Sequence, residues 1–250
     1  MARQIGSILL AGSIGDIIFY KNEFGYFAKS YGRISKSRIK NDPVFQRTRN
    51  NSAEFGKAAK SKGLVRRAFN ILAHIAADKR NFHRLISFFL RIIKLDPVNA
   101  PGNRSVTHSD LKLLEGFDFN EGNQFMKIFR APFMGTIDRV PGKLSVVLPS
   151  FVPAKSISKP KSATHFKIIS GGSALDFERI TYQSAFTESE ILPLDAFPTA
   201  EIELVNQVTA NSPNPLFLVL GIVFYEQAGL RQFMLQKSYN TLNLVGVEVG

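Results

Sequence analysis

Residues 215–226 read PLFLVLGIVFYE, an almost unbroken apolar run. A strand that alternates apolar and polar side chains can leave one face in water. A strand without that alternation cannot, and it reads as a central strand. The run therefore demands a sheet large enough to have a middle, and the surrounding sequence supplies one. From about residue 110 onward the apolar period is two. The candidate strands are LKLLEGFDFN, QFMKIFRA, KLSVVLP, ATHFKIISG, ALDFERITYQSAF, AEIELVNQVTA, LRQFMLQKSYN and NLVGVEV, besides the central run. The segments NEGN, RVPGK, ISGGSA, TANSPNP and EQAG between them carry turn chemistry. Seven to nine short antiparallel strands over roughly 140 residues predict a β-sandwich of immunoglobulin-like or jelly-roll type.

The first hundred residues follow a different period. In NDPVF, Asp42 is placed to cap a helix with Pro43 at its first position. That helix is expected to run to about Lys62 and to stop near Gly63. LVRRAFNILAHIAA continues with Leu64, Ala68, Ile71, Leu72 and Ile75 at helical spacing. Asp78 then precedes RNFHRLISFFLRIIKL, whose apolar face ends at Asp96-Pro97. The chain thus reads as α+β: an N-terminal β-hairpin and two or three helices in residues 1–100, then a β-sandwich domain in residues 101–250.

Charge divides at the same place. Of the 32 Lys and Arg and 20 Asp and Glu, residues 1–100 hold 19 and 6, while residues 101–250 hold 13 and 14. The net charge of +12 therefore lies at the front of the chain. Arg38, Lys40, Arg47, Arg49, Lys57, Lys60, Lys62, Arg66 and Arg67 are dense enough to meet a polyanion or an acidic face of another subunit. No helix-turn-helix, zinc-finger or RNP-type aromatic motif accompanies them.

The opening GSILLAGSIGDIIFYKNEFGYFAK admits three readings. As a signal peptide its apolar core is short and broken by Gly6, Gly12 and Gly15, and LLAGS has Ser13 where a lipidated Cys belongs. As a phosphate loop its glycines have neither of the required spacings, and a strand follows instead of a helix. The third reading fits: DIIFYKNEFGYFAKSYG is a hairpin around KNEFG, preceded by an apolar extended arm. Such an arm either tucks into its own sheet or adds to a neighbour's edge. The same choice faces the apolar C-terminal segment NLVGVEVG. The residues that would carry assembly are Ile5, Ile8, Leu9 and Leu10 at one end and Leu242, Leu244, Val247 and Val249 at the other.

Residues for chemistry are sparse. Cys is absent, so there is no disulfide, thiolate ligand or Cys nucleophile. His74, His83, His108 and His165 do not share an element at metal-ligand spacing. Glu188 with Glu190, and Glu201 with Glu203, lie at strand spacing and read as solvated strand faces. No nucleophile motif occurs. No apolar run approaches the ~18 residues of a membrane span. An enzyme, a metal and a cofactor are therefore not expected.

The order GSIGDIIFYKNEFGYFAK, DPVFQRTRNNSAEFGKA, LLEGFDFN and ATHFKI resembles a family of uncharacterised Bacteroidota proteins, with a Gly-rich hairpin, a basic helix and a β-rich end. The resemblance spans most of the chain and transfers no catalytic residue. It implies a non-enzymatic, self-assembling protein of the surface or exterior. The expectation from the residues is a structural protein that forms a tube, filament or ring through its extended ends. The alternative is an accessory protein that binds nucleic acid or another polyanion with its basic helices. With no cleavable signal evident, the compartment is open between the exterior, by a non-classical route, and the cytoplasm.

Overall fold

The computed structural model describes residues 2–30 and 34–250. They divide into two compact units, Met1–Asn50 and Asn51–Gly250.

The first unit holds β1 (Ala2–Arg3), β2 (Gly12–Ile14), β3 (Ile17–Asn22) and β4 (Gly25–Ser30), in the antiparallel order β1-β4-β3-β2. The predicted hairpin is β3–β4. Asn22 pairs with Gly25, and the Asn22 side chain accepts the Phe24 N–H at 2.9 Å. Gly25 takes a φ of 120°, which closes the turn without a Cβ penalty. Tyr31 and Gly32, at the end of the predicted hairpin, lie outside the described residues. The helix α1 (Lys36–Asn41) follows, capped by Ser35. Asp42 then caps a 3₁₀ turn at Pro43–Phe45 by accepting the Val44 N–H at 3.0 Å, as NDPVF predicts. That turn leads into α2 (Gln46–Ala68), which begins in the first unit and continues in the second.

In the second unit α2 does not stop at Gly63 but runs to Ala68. It is followed by α3 (Asn70–Ala76) and α4 (Asn81–Lys94). The remaining elements are α5 (Phe125–Ile128), β5 (Met134–Asp138), β6 (Lys143–Leu148), α6 (Pro153–Ser156), β7 (His165–Asp176), β8 (Thr181–Glu188), β9 (Leu192–Pro193), β10 (Ile202–Gln207), β11 (Leu216–Ala228), β12 (Arg231–Met234) and β13 (Thr241–Glu248). The smaller sheet has the order β10-β6-β5. The larger is β12-β11-β7-β8, with β13 also on β11 and β9 also on β7.

The apolar run is β11, and it lies between two cores. Its even-numbered residues Leu216, Leu218, Leu220, Ile222 and Phe224 pack with Leu144, Val146, Leu148 and Leu204 of the smaller sheet. Its odd-numbered residues Phe217, Val219 and Val223 pack with Leu64, Phe69, Phe89 and Ile93 of the helices. Period two with both faces covered is what removes polar residues from the strand. The α+β class stands.

Further expectations change. The boundary at residue 100 is not a packing boundary, because α2–α4 share one core with β7, β11 and β13. ISGGSA is not a turn; it lies inside the 12-residue β7. There Gly171 faces Leu72 of α3, while Gly172 faces Leu144 and Asn206 of the smaller sheet. Glycine marks close approach here, not reversal. The reversal comes at Phe177–Ile180, where Asp176 accepts the N–H groups of Glu178 and Arg179. LKLLEGFDFN is a 3₁₀ turn (Leu111–Leu114) with an extended tail, and QFMKIFRA contains α5.

Finally, β13 closes its own sheet. Leu242, Leu244 and Val247 are buried, and the strand pairs with β11 from Leu216 to Ile222. Its other edge is also occupied. Gly116 and Phe119 donate to the carbonyls of Leu244 and Leu242 at 2.8 Å, and Leu244 donates to Phe117 at 3.0 Å. Those three residues are core and cannot carry assembly; Val249 alone of the C-terminal set is exposed.

Candidate functional site

Among the described residues of the first unit, none is buried. This is the most unusual property of the chain, because the segment is not polar. Side chains of paired residues share a face, so Ile18, Tyr20 and Phe27 lie together on one side of the sheet. Tyr20 and Phe27 stack at 6.0 Å, with the Lys29 ammonium 5.3 Å from the Tyr20 ring. Ile14, Ile17, Phe19 and Ala28 lie together on the other side.

The predicted arm residues fall in the link from β1 at one edge of this sheet to β2 at the other. Gln4 fixes the link: its N–H donates to Tyr26 at 2.9 Å, its side-chain amide donates to Leu10 and Phe27, and its side-chain carbonyl accepts the Leu10 N–H at 2.8 Å. Ile5 is 91% exposed and Ile8 78%, and Leu9 and Leu10 are exposed as well. The arm is thus folded back by its backbone and leaves its apolar side chains in water.

A second exposed apolar group sits on β11–β12. Beyond Tyr225 the strand β11 pairs only with β12, so residues 226–234 form a two-stranded ribbon. Gly229 turns it with a φ of 62°. Leu230 at its tip is fully exposed, and Phe233 and Met234 are exposed on β12. Period-two reasoning finds β12 as a strand but gives no sign that it overhangs.

The nine candidate cations divide by what holds them. Arg38 pairs with Asp42 at 3.1 Å. Arg49 is committed to the carbonyls of Ile39 and Asp42 at 2.8 Å and to Gln46. Lys57 donates to the carbonyls of Asn103 and Arg104. Arg66 lies over the Phe82 ring at 5.3 Å, and Arg67 reaches the Ile180 carbonyl at 3.5 Å. Lys40, Arg47, Lys60 and Lys62 have no partner among the described residues. The sequence missed Gly63 and Tyr182, which stand beside Lys62, Arg66 and Arg67 in one cleft.

The groups considered for chemistry do not converge. His74 and His83 are exposed on separate helices. His108 sits among Asn99, Ser105 and Thr107, and His165 contacts Thr164 at 2.9 Å. Glu188 pairs with Lys167 at 2.7 Å, and Glu203 with Lys143 at 3.0 Å. Among the described residues no group of three His, Asp or Glu is placed to hold a metal ion, and no helix is long and apolar enough to cross a membrane.

The two perturbed carboxylates hold loops. Burial favours the neutral form of Asp96, but hydrogen bonds from the Asn99 side chain and from the N–H groups of Ser105, Val98 and Asn99 outweigh it and lower its pKa. Asp78 behaves likewise: burial opposes ionisation, while N–H donation from Glu121 and Arg80 and the Arg84 ion pair at 2.7 Å favour it.

Compared with protein-family models, with curated proteins and with solved structures, the chain matches none. The motif resemblance therefore carries no residue roles, and the exposed surfaces themselves direct the functional reading.

Proposed function

We propose that this chain is a non-enzymatic structural protein that polymerises with copies of itself, and that its N-terminal sheet is one of the two contact surfaces. The observation that carries the reading is the absence of any buried side chain among the described residues 2–50. A small sheet gains independent stability from covering an apolar face. Ile5, Ile8, Ile14 and Ile17 are available for that purpose, and both edge strands are short and, among the described residues, paired on one side only. The complementary surface in the next copy is the β11–β12 ribbon, whose Leu230, Phe233 and Met234 are also exposed and whose β12 pairs, among the described residues, only with β11. A contact between unlike surfaces repeats head to tail. It gives a ring when the rotation closes and a filament or tube when it does not.

The test is negative-stain electron microscopy with light scattering on the purified, nucleic-acid-free protein at low and high salt. Rings, filaments or tubes are expected, and removal of residues 2–14, which takes away β1 and β2, leaves folded monomers. A wild-type protein that stays monomeric at every salt concentration overturns the reading.

A further inference from the structure

The last two turns of α2, the start of α3 and the first residues of β8 enclose a cleft of about 450 Å³ lined by Lys62, Gly63, Arg66, Arg67, Asn70 and Tyr182. It contains three cations and no carboxylate. Some cations of the second unit are answered by acids, as in Lys143–Glu203, Lys167–Glu188 and Arg139–Glu248 at 2.7–3.0 Å. Lys62, Arg66 and Arg67 converge without one among the described residues. Neighbouring like charges repel, so a cleft that gathers them without acids fits an anion that is not part of this chain. The two guanidinium groups are also held in place: Arg66 stacks on Phe82, and Arg67 folds back over Gly63 toward the Ile180 carbonyl.

Gly63 supports the same reading. A glycine inside a helix costs up to ~1 kcal/mol relative to alanine, and nothing in the helix backbone requires it, since its φ is ordinary. What it does is leave the cleft floor low. A Cβ there would lie 3.7 Å from the Arg67 guanidinium, and a longer side chain would enter the cleft. At the rim, Tyr182 is 45% exposed and offers an aromatic surface.

We propose that this cleft binds single-stranded nucleic acid, with backbone phosphates on Lys62, Arg66 and Arg67 and a base against Tyr182. The combination of cations with one exposed ring is how strands are held without reading their sequence. A duplex keeps its bases stacked inside and offers the tyrosine nothing.

The test is fluorescence anisotropy of the full chain with an end-labelled thymidylate 12-mer at 50 and 200 mM salt. Three phosphate contacts on a single strand predict an affinity about 20-fold weaker at the higher salt. Arg66→Glu/Arg67→Glu is expected to lose binding at least tenfold. Lys127→Glu/Lys155→Glu, with the same net charge change at exposed positions of α5 and α6 that line neither the cleft nor the β11–β12 ribbon, is expected to bind as wild type does. Gly63→Leu keeps every charge and favours the helix, yet it is expected to weaken binding by filling the cleft. Tyr182→Ala is expected to weaken binding of the oligonucleotide but not of inorganic polyphosphate. No binding at 50 mM salt, equal binding by Arg66→Glu/Arg67→Glu, or a duplex bound as tightly as the single strand overturns the proposal. Because self-association is read separately by light scattering, failure of one proposal leaves the other standing.

Discussion

Gly172 of β7 and Asn206 of β10 meet across the two sheets so closely that a Cβ on Gly172 would lie 2.8 Å from the Asn206 Cβ. Leu144 stands 3.2 Å away on the same side. The contact sets the spacing of the core between the sheets. It also aligns a buried polar chain, in which Asn206 donates to Ser170 at 2.8 Å and Ser170 donates to the Val219 carbonyl at 3.2 Å. Gly172→Ala is therefore expected to overpack this core, costing ~1–3 kcal/mol. In thermal unfolding followed by circular dichroism, that is a fall of several degrees. Gly56→Ala is the opposite case: α2 is exposed there and a Cβ meets nothing within 4 Å, so helix propensity should raise stability by up to ~1 kcal/mol. Equal, neutral effects at both positions would refute the close-approach account of the Gly171-Gly172 pair.

Asn240 joins the helical layer to the sheet. Its side-chain oxygen accepts the Phe224 N–H at 2.9 Å, and its amide donates to the Ile75 carbonyl at 3.1 Å. The residue is fully buried. Asn240→Ala leaves two interior backbone groups without partners, and each such group costs ~1–3 kcal/mol. The expected loss is about 2–4 kcal/mol, read as a lower denaturant midpoint with an unchanged m-value. A midpoint within error of wild type would mean that water or local rearrangement replaces both bonds.

These two sites show where sequence reading succeeds and where it stops. The run at 215–226 was legible as a central strand because burial on both faces acts directly on residue type. The cap at Asp42-Pro43 was legible because it is local. Gly171 and Gly172 misled, since glycine signals a turn and a close approach with the same letter, and residues distant in sequence, Leu72, Phe186, Leu144 and Asn206, tell them apart. Gly63 misled in the same way. Leu242, Leu244 and Val247 were ambiguous because an apolar strand at a chain end looks the same whether its own sheet or a neighbour's covers it. The partner edge that resolves it, residues 116–119, alternates as Phe117-Asp118-Phe119, but nothing local says that it lies beside β13. In the candidate sites the charges were legible from composition, but the convergence of Lys62, Arg66 and Arg67 with Tyr182 depends on the fold.

The lowered pKa of Asp96 ties the loop after α4 to pH. A carboxylate whose folded pKa lies below its unfolded value, ordinarily near 3.9, stabilises the fold above that value and loses the contribution as pH falls through the folded pKa. Asp78 has the same sign. Stability is therefore expected to be flat from neutral pH to about 5 and to fall below about 4. Asp96→Asn should weaken that acid dependence, because its neutral amide retains one acceptor and has no charge to lose. Denaturant unfolding at pH 2.5, 4 and 7 checks this. An unaltered acid slope in Asp96→Asn would assign the acid sensitivity to other carboxylates.

The head-to-tail reading of assembly makes a prediction that a symmetric contact does not. Ile5 and Ile8 lie on one proposed surface, Leu230 and Phe233 on the other. Burying one such side chain is worth ~1.5–3 kcal/mol, so losing two of them and adding charge weakens the contact by a hundredfold or more. Ile5→Lys/Ile8→Lys and Leu230→Lys/Phe233→Lys are each expected to be monomeric in light scattering. Neither should change the melting of the second unit, since none of the four residues belongs to its cores. Each variant keeps one intact surface, so an equimolar mixture should form heterodimers and stop there. A symmetric interface built from one surface predicts instead that only one of the two variants loses assembly. A mixture that remains monomeric, although wild type polymerises, would place the second contact somewhere other than the β11–β12 ribbon.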